Sequence, residues 1–150
     1  MYENIWGSAV AFVNDVIDSR RSAYPDVAIN YVDWEAHANI QELDDADLIG
    51  TTAVTFTEES RDLFHGSFTI GVSTYADDKS LFRLRNYVGE VFTRLRPGEK
   101  IAFFDAKTLA QKGWLHIVDG TIVLPMTRAD ARPLQFVQCQ FLFDPVTATG

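Results

Sequence analysis

LFHGSFTIGVSTY, residues 63–75, is the stretch on which the fold turns. Successive side chains of an extended chain point to opposite faces, so Phe64, Phe68, Ile70 and Val72 share one side while His65, Ser67, Thr69 and Ser73 share the other. This period of two predicts a strand over Leu63–Tyr75 with one face in a core and one in water, the pattern of an antiparallel sheet.

Just after this strand, Asp77, Asp78 and Ser80 supply N-terminal caps, and Leu81, Leu84, Val88, Val91 and Leu95 recur at helical spacing until Pro97-Gly98 ends the pattern. The arginines of this helix, Arg83, Arg85, Arg94 and Arg96, interleave with the apolar stripe and are expected on its solvated face. On the other side of the deciding strand, Val54 and Phe56 alternate with Ala53, Thr55 and Thr57, a half-buried strand. Earlier still, a first strand is expected at Val27–Val32, and Ile5, Ala9, Phe12, Val13, Val16 and Ile17 mark an amphipathic helix over Asn4–Arg20.

The segment between, about residues 33–48, holds six carboxylates and few strong apolar positions, and reads as a mobile acidic loop. Toward the C-terminus, Ile101–Phe104 reads as a strand and Trp114–Val118 pairs with Thr121–Leu124 as a hairpin closed by Asp119-Gly120, a dipeptide suited to a type I′ turn. The last strand is Leu134–Phe143, with Val137, Cys139, Phe141 and Phe143 on one face, before a tail that frays from about residue 145. Together these elements predict one α+β domain over residues 1–150: two layers, a mainly antiparallel sheet, and two amphipathic helices packed on one face of it.

Apolar residues make up 47% of the chain and aromatics 13%, enough for a core in a domain of 150 residues. The net charge of −8 disfavours tight binding to nucleic acid, which needs clustered Lys and Arg; it is compatible with a wall past which DNA slides without being gripped, and ordinary solubility accounts for it equally well. The one cysteine, Cys139, lies in an apolar run and reads as a buried, inert thiol. Neither a signal-like start nor a run of about 18 apolar residues is seen, so a soluble, intracellular protein is expected.

No phosphate-cradling glycine motif and no nucleophile elbow occurs. His37, His65 and His116 lack metal-ligand spacing, and Asp44, Asp45 and Asp47 lack the pattern of a calcium loop. The expectation is a chain that is not an enzyme, with no metal and no cofactor.

The element order, Ile5–Ile17, Val27–Val32, Thr51–Thr57, Phe64–Tyr75, Leu81–Leu95 and Phe136–Phe143, resembles that of the tail-terminator (tail-completion) proteins of long-tailed phages and gene-transfer particles. The extra hairpin expected at Trp114–Leu124 departs from the shortest members. The resemblance implies a virion protein of the tail or neck, assembled in the bacterial host as a hexameric ring. Such a ring stops the tail-tube protein from polymerising, meets the head-side connector and lets DNA pass through its lumen without specific binding.

A cyclic ring needs two different complementary patches on each subunit. The acidic segment with Asp44, Asp45 and Asp47 and the helix with Arg83, Arg85 and Arg94 are the opposite-charge patches expected to meet across subunits. Two alternatives stay open: a neck adaptor or other minor tail subunit, and a ligand-binding or enzymatic domain with a cleft lined by Trp34, Tyr75 and Trp114.

Overall fold

In the computed structural model, residues 2–36, 46–60, 63–75, 77–128 and 132–145 are described. Among the described residues the chain is a mixed α+β fold of two helices and a seven-stranded, mostly antiparallel sheet. Helix α1 spans Tyr2–Ala23 and β1 spans Ile29–Asp33; β2, Asp47–Ser60, and β3, Leu63–Ser73, follow. A 3-10 turn at Lys79–Leu81 leads into α2, Phe82–Arg94, and β4 (Lys100–Phe104), β5 (Gln111–Ile122), β6 (Met126–Thr127) and β7 (Pro133–Pro145) complete the chain. The strand order is β1-β2-β3-β7-β5-β4, with β6 beside β7; β1 and β2 run parallel and the other pairs are antiparallel.

The helical and strand periods meet in one large core cluster. Ile5, Ala9, Phe12, Val13, Val16 and Ile17 of α1 and Leu84, Val88 and Val91 of α2 are buried in one cluster with Phe64, Phe68, Ile70 and Val72 of β3. Val137, Cys139 and Phe141 of β7 join them, as their alternation predicts. Each such side chain taken out of water contributes roughly 1.5–3 kcal/mol for the larger aliphatics and Phe.

Three features correct the local reading. First, Asp119-Gly120 makes no turn: β5 continues through it, pairing Asp119 with Gln140 and Gly120 with Cys139 after a bulge at Val118. The glycine is needed because the Leu95 carbonyl, just past α2, lies where a Cβ on Gly120 would sit. The hairpin at Trp114–Leu124 is therefore absent, and close approach of another backbone, rather than a positive φ, explains the residue.

Second, β2 is longer than its alternating part and begins at Asp47, inside the stretch read as loop. Ile49 and Val54 are five residues apart, yet both enter the large cluster. Strict alternation would part them, but an extra residue between Thr52 and Thr55, with Ala53 at φ 52°, re-phases the strand. Asp33 likewise belongs to β1; residues 37–45 of the expected mobile loop and residues 146–150 of the expected frayed tail lie outside the described residues.

Third, the second face of β3 is not wet throughout. Trp34, buried with Val32, Leu48 and Leu134 in a smaller cluster, lies over Gly71, and its Nε1 donates to the Gly71 carbonyl at 3.0 Å. A strand at the middle of the sheet is thus covered on both faces at this end.

The start of α2 comes from a residue four positions upstream. Asp78 Oδ1 accepts the Arg83 N–H at 2.9 Å, and its Oδ2 accepts the Leu84 N–H at 3.0 Å and the Thr74 hydroxyl at 2.9 Å. Those are donors that a helix N-terminus otherwise leaves unsatisfied. Ser80 and Leu81 adopt left-handed φ values of 58° and 57° to bring the carboxylate there.

Candidate functional site

Asp47 heads β2 with a side chain that is 0% exposed. Its Oδ2 accepts Arg83 Nε at 2.9 Å and the Tyr87 hydroxyl at 2.6 Å; its Oδ1 accepts Arg83 Nη2 at 3.1 Å and the Tyr75 N–H at 2.8 Å. Four donors on two oxygens satisfy the buried charge, which a buried carboxylate requires. Arg83 spends its remaining reach on the exposed Asp77, at 2.5 Å.

The chemistry of this cluster follows from its electrostatics. The hydrogen bond to Asp47 holds the Arg83 guanidinium even further above its ordinary range, against the opposing effect of burial, and Asp77 adds to it. Burial first, and Asp47 second, push the Tyr87 phenol well above its usual value. The cluster is a clamp joining α2 to β2 and to the segment after β3.

The six residues expected to meet across subunits are distributed differently. The predicted partnership of an acid from the β1–β2 segment with an arginine of α2 exists, but inside one chain, as Asp47 with Arg83. Asp47 is consequently no surface patch, because its oxygens are occupied and out of solvent. Asp44 and Asp45 lie outside the described residues. Arg85 is exposed, with Nη1 donating to the Ser80 carbonyl at 3.2 Å, and Arg94 pairs with Glu90 one helical turn earlier at 3.0 Å. Tyr87 and Tyr75 were not legible as partners of Asp47, which lies 40 and 28 residues away from them.

Cys139 is buried, and desolvation pushes its thiol up to about 12, far from the thiolate a nucleophile needs. His37 lies outside the described residues; His65 sits at the rim with Nε2 3.2 Å from Glu59 Oε1. Among the described residues no three potential metal ligands gather, and no helix is long and apolar enough to cross a membrane.

The three aromatics weighed as a cleft lining do not converge. Trp34 packs over Gly71, which pairs with Phe136 near the start of β7; Trp114 pairs with Asp144 near its end. Tyr75 lies under Arg132, and Trp114 under Lys100 with Nζ 4.3 Å from the ring centre. A separate cleft of about 390 Å³ runs between α1, the end of α2 and β4, bordered by Phe12, Asp15, Arg94, Glu99 and Lys100.

The charge is unevenly divided along the chain, which motif reading missed. Residues 1–78 carry 15 acids and 3 bases, net −12, whereas residues 79–150 carry 6 acids and 10 bases, net +4. The order β1-β2-β3-β7-β5-β4 places the first group's strands at one end of the sheet and the second group's at the other. Exposed Glu35, Glu58 and Glu59 mark the β1–β2 end, whereas around β4 and β5 Lys100, Lys107 and Lys112 are balanced by Glu99, Asp105 and Asp119; the excess of bases falls in residues 79–98, around α2. Counting charge per half of the chain, rather than over the whole, was the available signal.

Comparison of the chain with protein-family models and with curated protein sequences finds no match to either.

Proposed function

We propose that the chain is a structural, non-catalytic subunit that closes head to tail into a ring and caps the tail tube of a long-tailed phage or gene-transfer particle. The observation that carries this reading is the uneven charge of the chain, net −12 over residues 1–78 against an excess of +4 that falls within residues 79–98, around α2. Head-to-tail rings use two unlike, mutually complementary patches per subunit, and an acidic β1–β2 end facing the exposed Arg85 and Arg96 of the α2 region is such a pair. The order of helices and strands that resembles tail terminators supports the same setting.

The mechanism is geometric. A closed ring seated on the last ring of tail-tube protein leaves no free polymerising surface, and its far side receives the head-side connector. The overall charge of −8 repels phosphate, so DNA moves through the lumen without being held. The expected site of action is the virion tail or neck.

Light scattering of the purified protein over a hundredfold concentration range tests this. A single assembly of about six copies that loosens as salt is raised supports it, because rim charges are screened by salt. The cleft beside β4 is of small-ligand size and favours a second reading, a ligand-binding domain. A monomer at every concentration, together with a melting shift from one compound in a metabolite screen, would replace the ring with that reading.

A further inference from the structure

Helix α2 turns one face outward. Phe82, Arg85, Asn86, Gly89, Thr93 and, just past its end, Arg96 recur every three or four residues, and all six are exposed. No acid falls on this stripe, and the acids beside it are engaged within the chain: Asp77 by Arg83, and Glu90 by Arg94. Arg85 donates to the Ser80 carbonyl and the Arg96 guanidinium lies 5.6 Å over the Phe92 ring. Neither arginine meets a carboxylate among the described residues.

Phe82 is 71% exposed, more than any other aromatic side chain among the described residues. It follows Ser80 and Leu81, whose left-handed φ values are unfavourable for residues that carry a Cβ. This turn packs Leu81 against the core and leaves Phe82 in solvent. Farther along the stripe, a Cβ on Gly89 would meet nothing within 4 Å, so the middle of the face is low and open. Aromatic rings and arginines are the side chains that most often anchor a protein interface.

The complement lies where β2 ends and β3 begins. Glu58 and Glu59 are adjacent and exposed, and Leu63, the first residue of β3, is 48% exposed. Elsewhere on the β1–β2 end the carboxylates are occupied by backbone donors: Asp33 accepts from Glu35 and Ala36, and Glu35 accepts from Ala53. Glu59 has only His65 beside it among the described residues.

We propose that this face of α2 is the docking surface for a second copy of the chain, which sets Glu58 and Glu59 against Arg85 and Arg96 and packs Leu63 on Phe82. The occupant follows from charge at the contact itself: two arginines without an acid on one surface, two adjacent glutamates beside an exposed leucine on the other. Contact between unlike surfaces leaves each end copy with one α2 face or one acidic end free, which lets the contact repeat around a ring. The inference rests on the ring reading and adds to it which residues meet.

Light scattering across concentration compares wild type, Phe82→Ser, Arg85→Glu/Arg96→Glu, Glu58→Lys/Glu59→Lys and the control Leu109→Ser, with circular dichroism confirming the fold. All the changed side chains are exposed, Leu109 by 75% in the β4–β5 loop. The expected result is an assembled wild type and control, and a half-dissociation concentration raised at least about tenfold in each of the other three. An equimolar mixture of the two charge-reversed variants should assemble again, because each reversed surface then faces an opposite one. An assembled wild type with equally assembled variants would overturn the α2 face as the contact and leave the ring reading intact. Charge-reversed variants that come apart but stay apart when mixed would overturn Glu58 and Glu59 as its occupant. A wild type that stays monomeric would overturn both the contact and the ring.

Discussion

Replacing Asp47 by Asn removes one charge and no volume, and its cost can be worked from the structure. The carboxylate receives four donors: two from Arg83, one from Tyr87 and one from the Tyr75 N–H. An amide presents one oxygen and one NH2, so at least one donor of the four meets another donor. The Arg83 side chain, only 14% exposed, keeps Asp77 as its remaining charge partner. Breaking a buried ion pair from one side costs about 3–5 kcal/mol; retention of Asp77 and of one amide oxygen brings the expectation to about 3 kcal/mol. For a domain of this size that is a fall in Tm of about 6–12 °C.

Urea titration followed by tryptophan fluorescence reads the loss in stability directly, and a cycle with Arg83→Met isolates the pair. The double variant should lose about 1–3 kcal/mol less than the sum of the single changes, because the second substitution removes the group that the first left unpaired. A loss below about 1 kcal/mol for Asp47→Asn, or strict additivity in the cycle, would refute the clamp.

Asp78→Ala should destabilise by about 1–2 kcal/mol, read by the same titration, since its carboxylate is the cap of α2; a neutral result would show that the turn holds itself. Gly71→Ala should cost more than Gly89→Ala in thermal melts: a Cβ at Gly71 strikes the Trp34 indole, whereas one at Gly89 meets nothing. Equal melting temperatures would remove Trp34 from its place over β3. Cys139 gives a pH prediction with a definite sign. Its folded value, raised by burial to about 12, lies above the unfolded one, so its contribution is complete below the unfolded pKa and is lost as pH rises through the folded value. Stability should therefore decline in alkali by up to about 1.4 kcal/mol per pH unit, and Cys139→Ala should flatten that decline. A native thiol labelled by a thiol reagent as fast as free cysteine would contradict its burial.

Much of the fold was legible because its signals are local. The α1 stripe from Ile5 to Ile17, the alternation of Phe64 to Val72 and the β7 face from Val137 to Phe141 each reflect a short period repeated against one core. What escaped was set by partners distant in the chain. Gly120 is required by Leu95, 25 positions earlier, and the same dipeptide read locally is a turn. Asp47 stands among acids and reads as solvated loop; its cationic partner, Arg83, lies 36 residues away on α2. The β2 bulge hid the joint phase of Ile49 and Val54. Of the contact residues, Arg85 and Arg94 fell where a helical wheel puts them, while Asp47 did not, because burial of a charge depends on a pairing that no local pattern carries.

Imaging of negatively stained wild-type particles, sorted into class averages, is the most direct test of a ring-forming subunit. Closed rings of one cyclic symmetry, about six copies with a central lumen, are the predicted result. Monomers at every concentration, or two-fold dimers that bury the same patch on both partners, would contradict a head-to-tail ring.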